Sequence, residues 1–396
     1  MNASPDNNAP LSFKVRHGGT RPSIITGNTG HTVMRVEAWQ LPGHLREAVI
    51  TEGDHGDAWR VTSDEGLHLK GTDLAPFPFG FFNAGVQADV IRRISTCAAA
   101  ADVAISALDL QVDSAYGLTG SFAQGTARGD ADAGTLRITL SSNATHETIR
   151  GVIDAALAAS PALAMLRAPV ACRFALYVNG QRQRLDGLTE AASVDAKDPL
   201  QTYPDGPRPL VEDGGEDAVV KTTTQEAGTP QLAGAGGNGR VVRHVTGRAH
   251  RMGYTGRSEV ESWLQFSGAS HFIFRSDDGA AAVAPSGLGL LSAGLAFCYM
   301  TQLSRYIEHL PALAAFQTMR GARLVQYTHY AVNENGQAVS EYIDTHVFLD
   351  GDTPDAPHAE LVTLAARMCF LRAAAAAALP PQLIVVHNGM PLAWNG

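Results

Sequence analysis

Two stretches of this chain lack the polar stripe of an ordinary surface helix. The first opens at Pro76 and is predicted to run to about Leu108; the second starts near Pro285 and ends before Pro311. In the second, Leu288, Leu290, Leu291, Ala293, Leu295, Ala296, Phe297, Tyr299 and Met300 cover nearly every side. A helix apolar all round belongs in the middle of a fold or an interface. Alternating strand patterns follow each helix: LDLQVDSA (108–115) and TLRITLSS (135–142) in the first half, RLVQYTHYAV (323–332) and SEYIDTHVFL (340–349) in the second. The last two flank NENGQ, whose Asn-Gly signals a hairpin because both central turn residues take positive φ. Further helices are expected around 145–167 and 356–378, and a final strand at QLIVV (382–386). The pattern predicts an α+β plan written twice.

Spacing supports the repeat. APFPFGFFNAGVQAD at 75–89 lies over APSGLGLLSAGLAFC at 284–298 without a gap, pairing Pro76 with Pro285, Gly80 with Gly289 and Gly85 with Gly294 at an offset of 209. The same offset puts Cys369 over Ser160 and Cys298 over Asp89. A weaker echo, Val-Arg-His at 15–17 and 242–244, needs a different offset. Between the copies, 187–240 is rich in Gly, Pro, Thr and acidic residues with little apolar periodicity, and reads as a flexible linker. Its GAGGNG at 234–239 has no strand before it or helix after it, so it is read as linker and not as a dinucleotide loop. The expected division is 12–186, a linker at 187–240, and 241–396.

Composition narrows the function classes. With 396 residues, 45% hydrophobic and 17% charged, most of the chain is expected to fold. Thirty Lys plus Arg against 39 Asp plus Glu give −9, with no basic run, so nucleic acid is not an expected partner. The polar start MNASPDNNAPLSF is unlike a signal peptide, and GLGLLSAGLAFCYM at 287–300 is too short to cross a membrane, which together predict a cytoplasmic protein without membrane association. Cys97, Cys172, Cys298 and Cys369 are scattered, with no CxxC and no zinc spacing.

Cys298 lies about three turns into its helix, beyond the helix-terminal field, and burial alone raises a thiol's pKa. A reactive Cys298 therefore needs a cation; the candidates are Arg243, Arg248, Arg251 and Arg257, or Arg16 and Arg21 from the first half. The competing reading is an inert core cysteine, and a packing cysteine for Cys369. Both cysteines gain interest together, because the first copy carries Asp89 and Ser160 where the second carries thiols.

PSGLGLLSAGLAFC at 285–298 resembles the P-S-P-x-E-L-L-x-A-A-x-x-A-C pattern of the OsmC/Ohr family, and RMCFLRA around Cys369 resembles that family's second cysteine helix. The resemblance spans both halves outside the linker and implies two OsmC-like domains fused as an internal pseudo-dimer, with long central helices packed against antiparallel sheets. It implies that Cys298 attacks an organic hydroperoxide, that an arginine from the N-terminal strands supports the thiolate, and that Cys369 resolves the sulfenic acid, with no metal or organic cofactor. Arg248 is the leading arginine and Arg243 the next. Two positions depart from the pattern: Gly289 stands where the family has glutamate, and Phe370 follows Cys369 in place of proline. Asp277, Asp278 or Glu259 is the expected replacement acid.

Two other classes stay open. A cysteine–histidine hydrolase of an ester or diketone would draw on a histidine such as His271 or His346, in strands that could face Cys298. Asp89, with Asn83 and Gln87, could form a polar acid–base site facing Cys298, or simply pair with Arg92 or Arg93. A non-catalytic binder would use Phe77, Phe79, Phe81 and Phe82 around a hydrophobic ligand. The expected partners are a small hydrophobic substrate and, for a peroxidase, a thiol reductant; a homodimer of the whole chain is left open.

Overall fold

The computed structural model describes residues 10–16, 30–52, 57–210, 217–224, 239–253, 257–279, 281–310, 321–351 and 357–394. The elements run β1 (Ser12–Lys14), β2 (His31–Gln40), β3 (Arg46–Glu52), β4 (Ala58–Ser63), α1 (Pro78–Ala100), β5 (Ile105–Thr119), β6 (Arg128–Ser142), α2 (His146–Ala158), α3 (Pro161–Arg167), β7 (Ala171–Val178), β8 (Gln181–Gln183), α4 (Pro199–Thr202) and β9 (Val219–Thr223). They continue β10 (Val241–Met252), β11 (Arg257–Leu264), β12 (His271–Asp277), α5 (Gly287–His309), β13 (Arg323–Val332), β14 (Ala338–Leu349), α6 (His358–Met368), α7 (Phe370–Ala376), β15 (Gln382–His387) and β16 (Met390–Leu392). The class is α+β, with two mixed sheets of eight strands each.

Neither sheet is confined to one side of 187–240. One has the order β1-β4-β3-β2-β13-β14-β7-β8, the other β9-β12-β11-β10-β5-β6-β15-β16. In each, the sixth and seventh strands, β14 with β7 and β6 with β15, pair parallel, and every other neighbouring pair is antiparallel. Strands from the two ends of the chain therefore complete one another's sheets.

The two apolar helices lie at the centre, both buried over most of their length. They cross closely because the crossing is made of glycine. A Cβ on Gly85 would stand 2.4 Å from the Leu291 nitrogen, one on Gly287 2.7 Å from the Asp89 nitrogen, and one on Gly294 2.7 Å from the Phe82 nitrogen. Backbone cannot yield as a flexible side chain does, so larger residues would force the helices apart. Pro78 fits the first turn of α1, and the Ser286 hydroxyl caps α5 by accepting the Gly289 N–H at 3.0 Å.

Three helices depart from expectation. The first helix stops at Ala100, where Asp102 takes a left-handed φ of 55° and the chain turns into β5. The helix expected at 145–167 breaks at Ser160, whose successor Pro161 disfavours helical geometry there; α2 and α3 meet at a 75° bend. The helix expected at 356–378 breaks at Cys369, which has extended φ and ψ of −65° and 112°. The segment read as a linker carries structure where it is described: β9 pairs with β12, and Asp198 caps α4 while taking Arg323 on its carboxylate at 3.0 Å. Most of GAGGNG, together with His17 and Arg21, lies outside the described residues. No single helix among the described residues is long and apolar enough to cross a membrane; only the bent α2–α3 pair reaches the length and composition jointly.

Candidate active site

Cys298 sits in the middle of α5, and Cys369 occupies the break between α6 and α7. Their sulfurs are 3.5 Å apart, both residues are 1% exposed, and both are free thiols. The break matters because it turns Cys369 into the N-cap residue of α7, so that backbone N–H groups of Leu371 and Arg372 reach it. The two thiols titrate as a pair. Burial pushes the Cys298 thiol well above its ordinary value, and the contact with Cys369 pushes it further. Burial also opposes ionisation of Cys369, but the contact with Cys298, the backbone N–H groups and the Arg372 guanidinium outweigh it and bring that thiol below its ordinary value. The first proton is lost from the pair as a unit, and the surroundings of Cys369 favour the charge more than those of Cys298.

Cys298 opens onto a cavity of about 30 Å³ whose walls come from both halves of the chain. The segment before α1 supplies Glu65, His68 and Phe77, and the first turn of α1 supplies Phe79; β10 supplies Arg243, α5 supplies Thr301, Gln302 and Arg305, and α7 supplies Phe370. Arg243 is 4% exposed, and none of its three guanidinium nitrogens has a hydrogen-bond partner; Phe370 lies under it at 5.9 Å. Burial, then repulsion from Arg305, lowers its pKa to about 10, and Glu65 works against that shift. It remains a cation at neutral pH. Glu65 is fixed by the Thr301 hydroxyl, which donates to it at 2.7 Å, and by fully buried Arg46 at 3.8 Å. Two arginines, Arg243 and Arg305, and the Glu65 carboxylate line the cavity.

The structure brings together only some of the residues predicted from sequence. Cys298 and Cys369 meet. Arg243, the second choice, faces the cavity, whereas Arg248 lies on the exposed side of β10 with its guanidinium 5.3 Å from the Trp263 ring. The parity of a strand decides this: Arg243 and Arg248 are five positions apart and point to opposite faces. Arg257 pairs with Asp277, Arg251 bonds the Ile105 carbonyl, and Arg16 bonds the Leu210 carbonyl. His271 stacks on Trp263 and bonds Glu261 at 2.9 Å. His346 is buried against Tyr177 and Ser193 on the other sheet. Neither histidine reaches the thiols.

Asp89 does not face Cys298 either. Its backbone lies against Gly287 in the first turn of α5, and Cys298 is eleven residues farther on, roughly 16 Å along a helix rising about 1.5 Å per residue. Asp89 instead accepts from Ser160 Oγ at 2.6 Å, from the Ala162 N–H at 3.2 Å and from Arg93 at 3.1 Å, and burial raises its pKa. The pairing with Arg93 is as expected, and the one with Ser160 is additional. Phe77 and Phe79 line the thiol cavity, while Phe81 packs on Phe274 and Phe297.

Glu65 was missed. Of the acids named from sequence, Asp277 pairs with Arg257 and Glu259 with Arg275, both away from the thiols. The signal was present: Ser-Asp-Glu at 63–65 precedes α1 as Ser-Asp-Asp at 276–278 precedes α5. The carboxylate that lines the Cys298 cavity comes from the other half of the chain. Gly289 has its own explanation, since a Cβ there would stand 2.3 Å from Glu52 Oε1, and Glu52 accepts the Ser286 N–H at 2.7 Å.

No family model matches the chain, and no curated protein matches it. Among solved structures, an OsmC-like hydroperoxide resistance protein from Jannaschia sp. CCS1 matches with 18% identity over 33% of this chain and 83% of that one, at a TM-score of 0.21.

Proposed function

We propose that this chain is a dithiol peroxidase that reduces organic hydroperoxides, with Cys298 as the attacking thiol and Cys369 as the resolving one. The observation that carries the reading is the 3.5 Å sulfur pair beside a buried arginine cation without a hydrogen-bond partner. Cys298 opens onto the cavity, and the surroundings of Cys369 favour the charge, so the pair divides the work. The Cys298 proton passes to the Cys369 thiolate as Cys298 attacks the terminal peroxide oxygen. The O–O bond breaks, Cys298 becomes a sulfenic acid, and the alkoxide leaves as an alcohol with the proton from Cys369. The regenerated Cys369 thiolate then displaces hydroxide from the sulfenic sulfur, forming a disulfide and, with one solvent proton, water. A dithiol reductant restores the pair. Arg243 receives the charge that develops on the peroxide oxygens. No metal or organic cofactor enters these steps.

The same reading takes 12–186 and 241–396 as two copies of one OsmC-like unit, fused as an internal pseudo-dimer. The matching strand orders of the two sheets support it, as does a thiol cavity walled by both copies. The site at Asp89 and Ser160 is then the counterpart that no longer carries thiols.

His68, which lines the thiol cavity, supports a second reading, a cysteine hydrolase with His68 as its base. A hydrophobic-ligand binder would use the same cavity, walled by Phe77, Phe79 and Phe370, without turnover. Steady-state turnover of an aryl hydroperoxide with dithiothreitol decides between them. Peroxide consumption lost in Cys298→Ser and in Cys369→Ser supports the peroxidase. Cleavage of an activated ester that needs Cys298 and His68 but not Cys369, without peroxide consumption, supports the hydrolase.

A further inference from the structure

His346 belongs to a second polar chain, which shares no residue with the thiol cavity. It is fully buried in β14, between Tyr177 on β7 and the segment that follows β8. The Tyr177 hydroxyl donates to Asp195 at 2.8 Å, and Asp195 is held ionised by that bond and by Arg182 at 2.7 Å. A phenol has one proton, so at its 3.0 Å contact with His346 Nδ1 the Tyr177 oxygen accepts and the imidazole donates. That fixes the tautomer: Nε2 is left with its lone pair, and at 2.9 Å it accepts the Ser193 hydroxyl. The segment bearing Ser193 is anchored beside it, through the Ala191 N–H on the Phe174 carbonyl and Arg182 on the Ala191 carbonyl. Ser193 is partly exposed, whereas its base is not.

We infer that Ser193 is a second nucleophile of this chain, a serine hydroxyl set against His346, Tyr177 and Asp195 so as to accept acyl or phosphonyl groups from activated esters. Oγ adds to the electrophilic carbon or phosphorus, its proton moves to His346 Nε2, and the leaving group departs with that proton. Ser193 ends as an ester. Burial lowers the His346 pKa to about 4, so the imidazole keeps its lone pair throughout the neutral range but is a weak base. The site is therefore suited to slow, stoichiometric acylation.

A fluorophosphonate probe, read by peptide mass spectrometry on the full chain, tests this, with fluoride leaving as HF. Labelling at Ser193 at least tenfold faster than at exposed Ser106, slowed at least tenfold in Tyr177→Phe and His346→Asn and absent in Ser193→Ala, is the expected result. Far-ultraviolet circular dichroism separates loss of labelling from loss of fold, and Tyr177→Phe keeps its ring stacked if His346→Asn does not fold. Labelling of Ser193 no faster than Ser106, or unchanged in folded Tyr177→Phe, overturns the proposal and leaves the chain of bonds as a clamp on the segment.

Discussion

Ser160 donates a 2.6 Å hydrogen bond to Asp89, 209 residues ahead of the pair in which Cys369 meets Cys298 at 3.5 Å. In both places a residue in a central helix contacts a residue at the break of a later helix, and Pro161 supplies at Ser160 the proline that Cys369 lacks. One position holds a carboxyl–hydroxyl pair and the other a dithiol. Only the second can make and break a covalent bond between its members.

If the pair shares one proton, removing Cys369 removes the acceptor for the Cys298 proton. Cys369→Ser is expected to slow sulfenate formation at Cys298 and move its rise to higher pH, because the Cys298 thiol, raised by burial, must then lose its proton to solvent. Single-turnover rates between pH 6 and 10 with a sulfenate-trapping reagent measure both effects.

Arg243 and Arg248 separate the two faces of β10. Arg243→Met is expected to lower kcat by about 10² to 10³, the usual cost of losing a donor at developing charge, while Arg248→Met leaves kcat unchanged. Steady-state kinetics of the two variants, with thermal unfolding as a control for fold, check this.

The helix crossing is expected to be intolerant of side chains. Gly85→Ala and Gly294→Ala each place a methyl against backbone of the facing helix and should cost about 1–3 kcal/mol or more. Gly151→Ala, in α2 with nothing within 4 Å of the new methyl, should stabilise by about 0.5–1 kcal/mol. Urea unfolding of the three variants measures the contrast.

Much of the fold was legible because it is written in periodicity: the two all-apolar helices, the strands after them and the hairpin at NENGQ are all present, although the first helix ends at Ala100 and not near Leu108, and of the Asn-Gly pair in the turn only Gly336, at φ 74°, takes positive φ. The dithiol was legible from the offset of 209. The cation was not, since Arg243 and Arg248 sit on one strand and only its orientation against α5 separates them. Glu65 was hidden because strands cross between halves, so the acid near Cys298 is remote in sequence. His271 and His346 lie in strands as expected, but strand membership says nothing about which layer a side chain faces.

Acid groups near the start of α5 make stability depend on pH. Burial is the main cause that raises Glu52 from 4.5 to about 7, with smaller contributions from Asp278 and Asp57, and Asp278 from 3.8 to about 6. Because the folded values exceed the unfolded ones, the native state binds more protons between them. Their contribution is fully present below the unfolded values and is lost as pH rises through about 6 and about 7. Relative to wild type, Glu52→Gln with Asp278→Asn should therefore show little gain at pH 4 and a growing gain in unfolding free energy up to pH 8. Denaturant unfolding across that range gives the difference directly, and a pH-independent difference would contradict the assignment.

The central claim is that Cys298 and Cys369 together reduce one hydroperoxide per disulfide. Stoichiometric titration of the fully reduced chain with an aryl hydroperoxide, read by intact mass and by peptide mapping under non-reducing conditions, tests it most directly. The account predicts one alcohol released per chain, a loss of two hydrogens, and a single Cys298–Cys369 bond, whose sulfurs need to close from 3.5 Å to about 2.05 Å. Peroxide left unconsumed, or oxidation falling on Cys97 or Cys172 while Cys298 and Cys369 stay reduced, would contradict it.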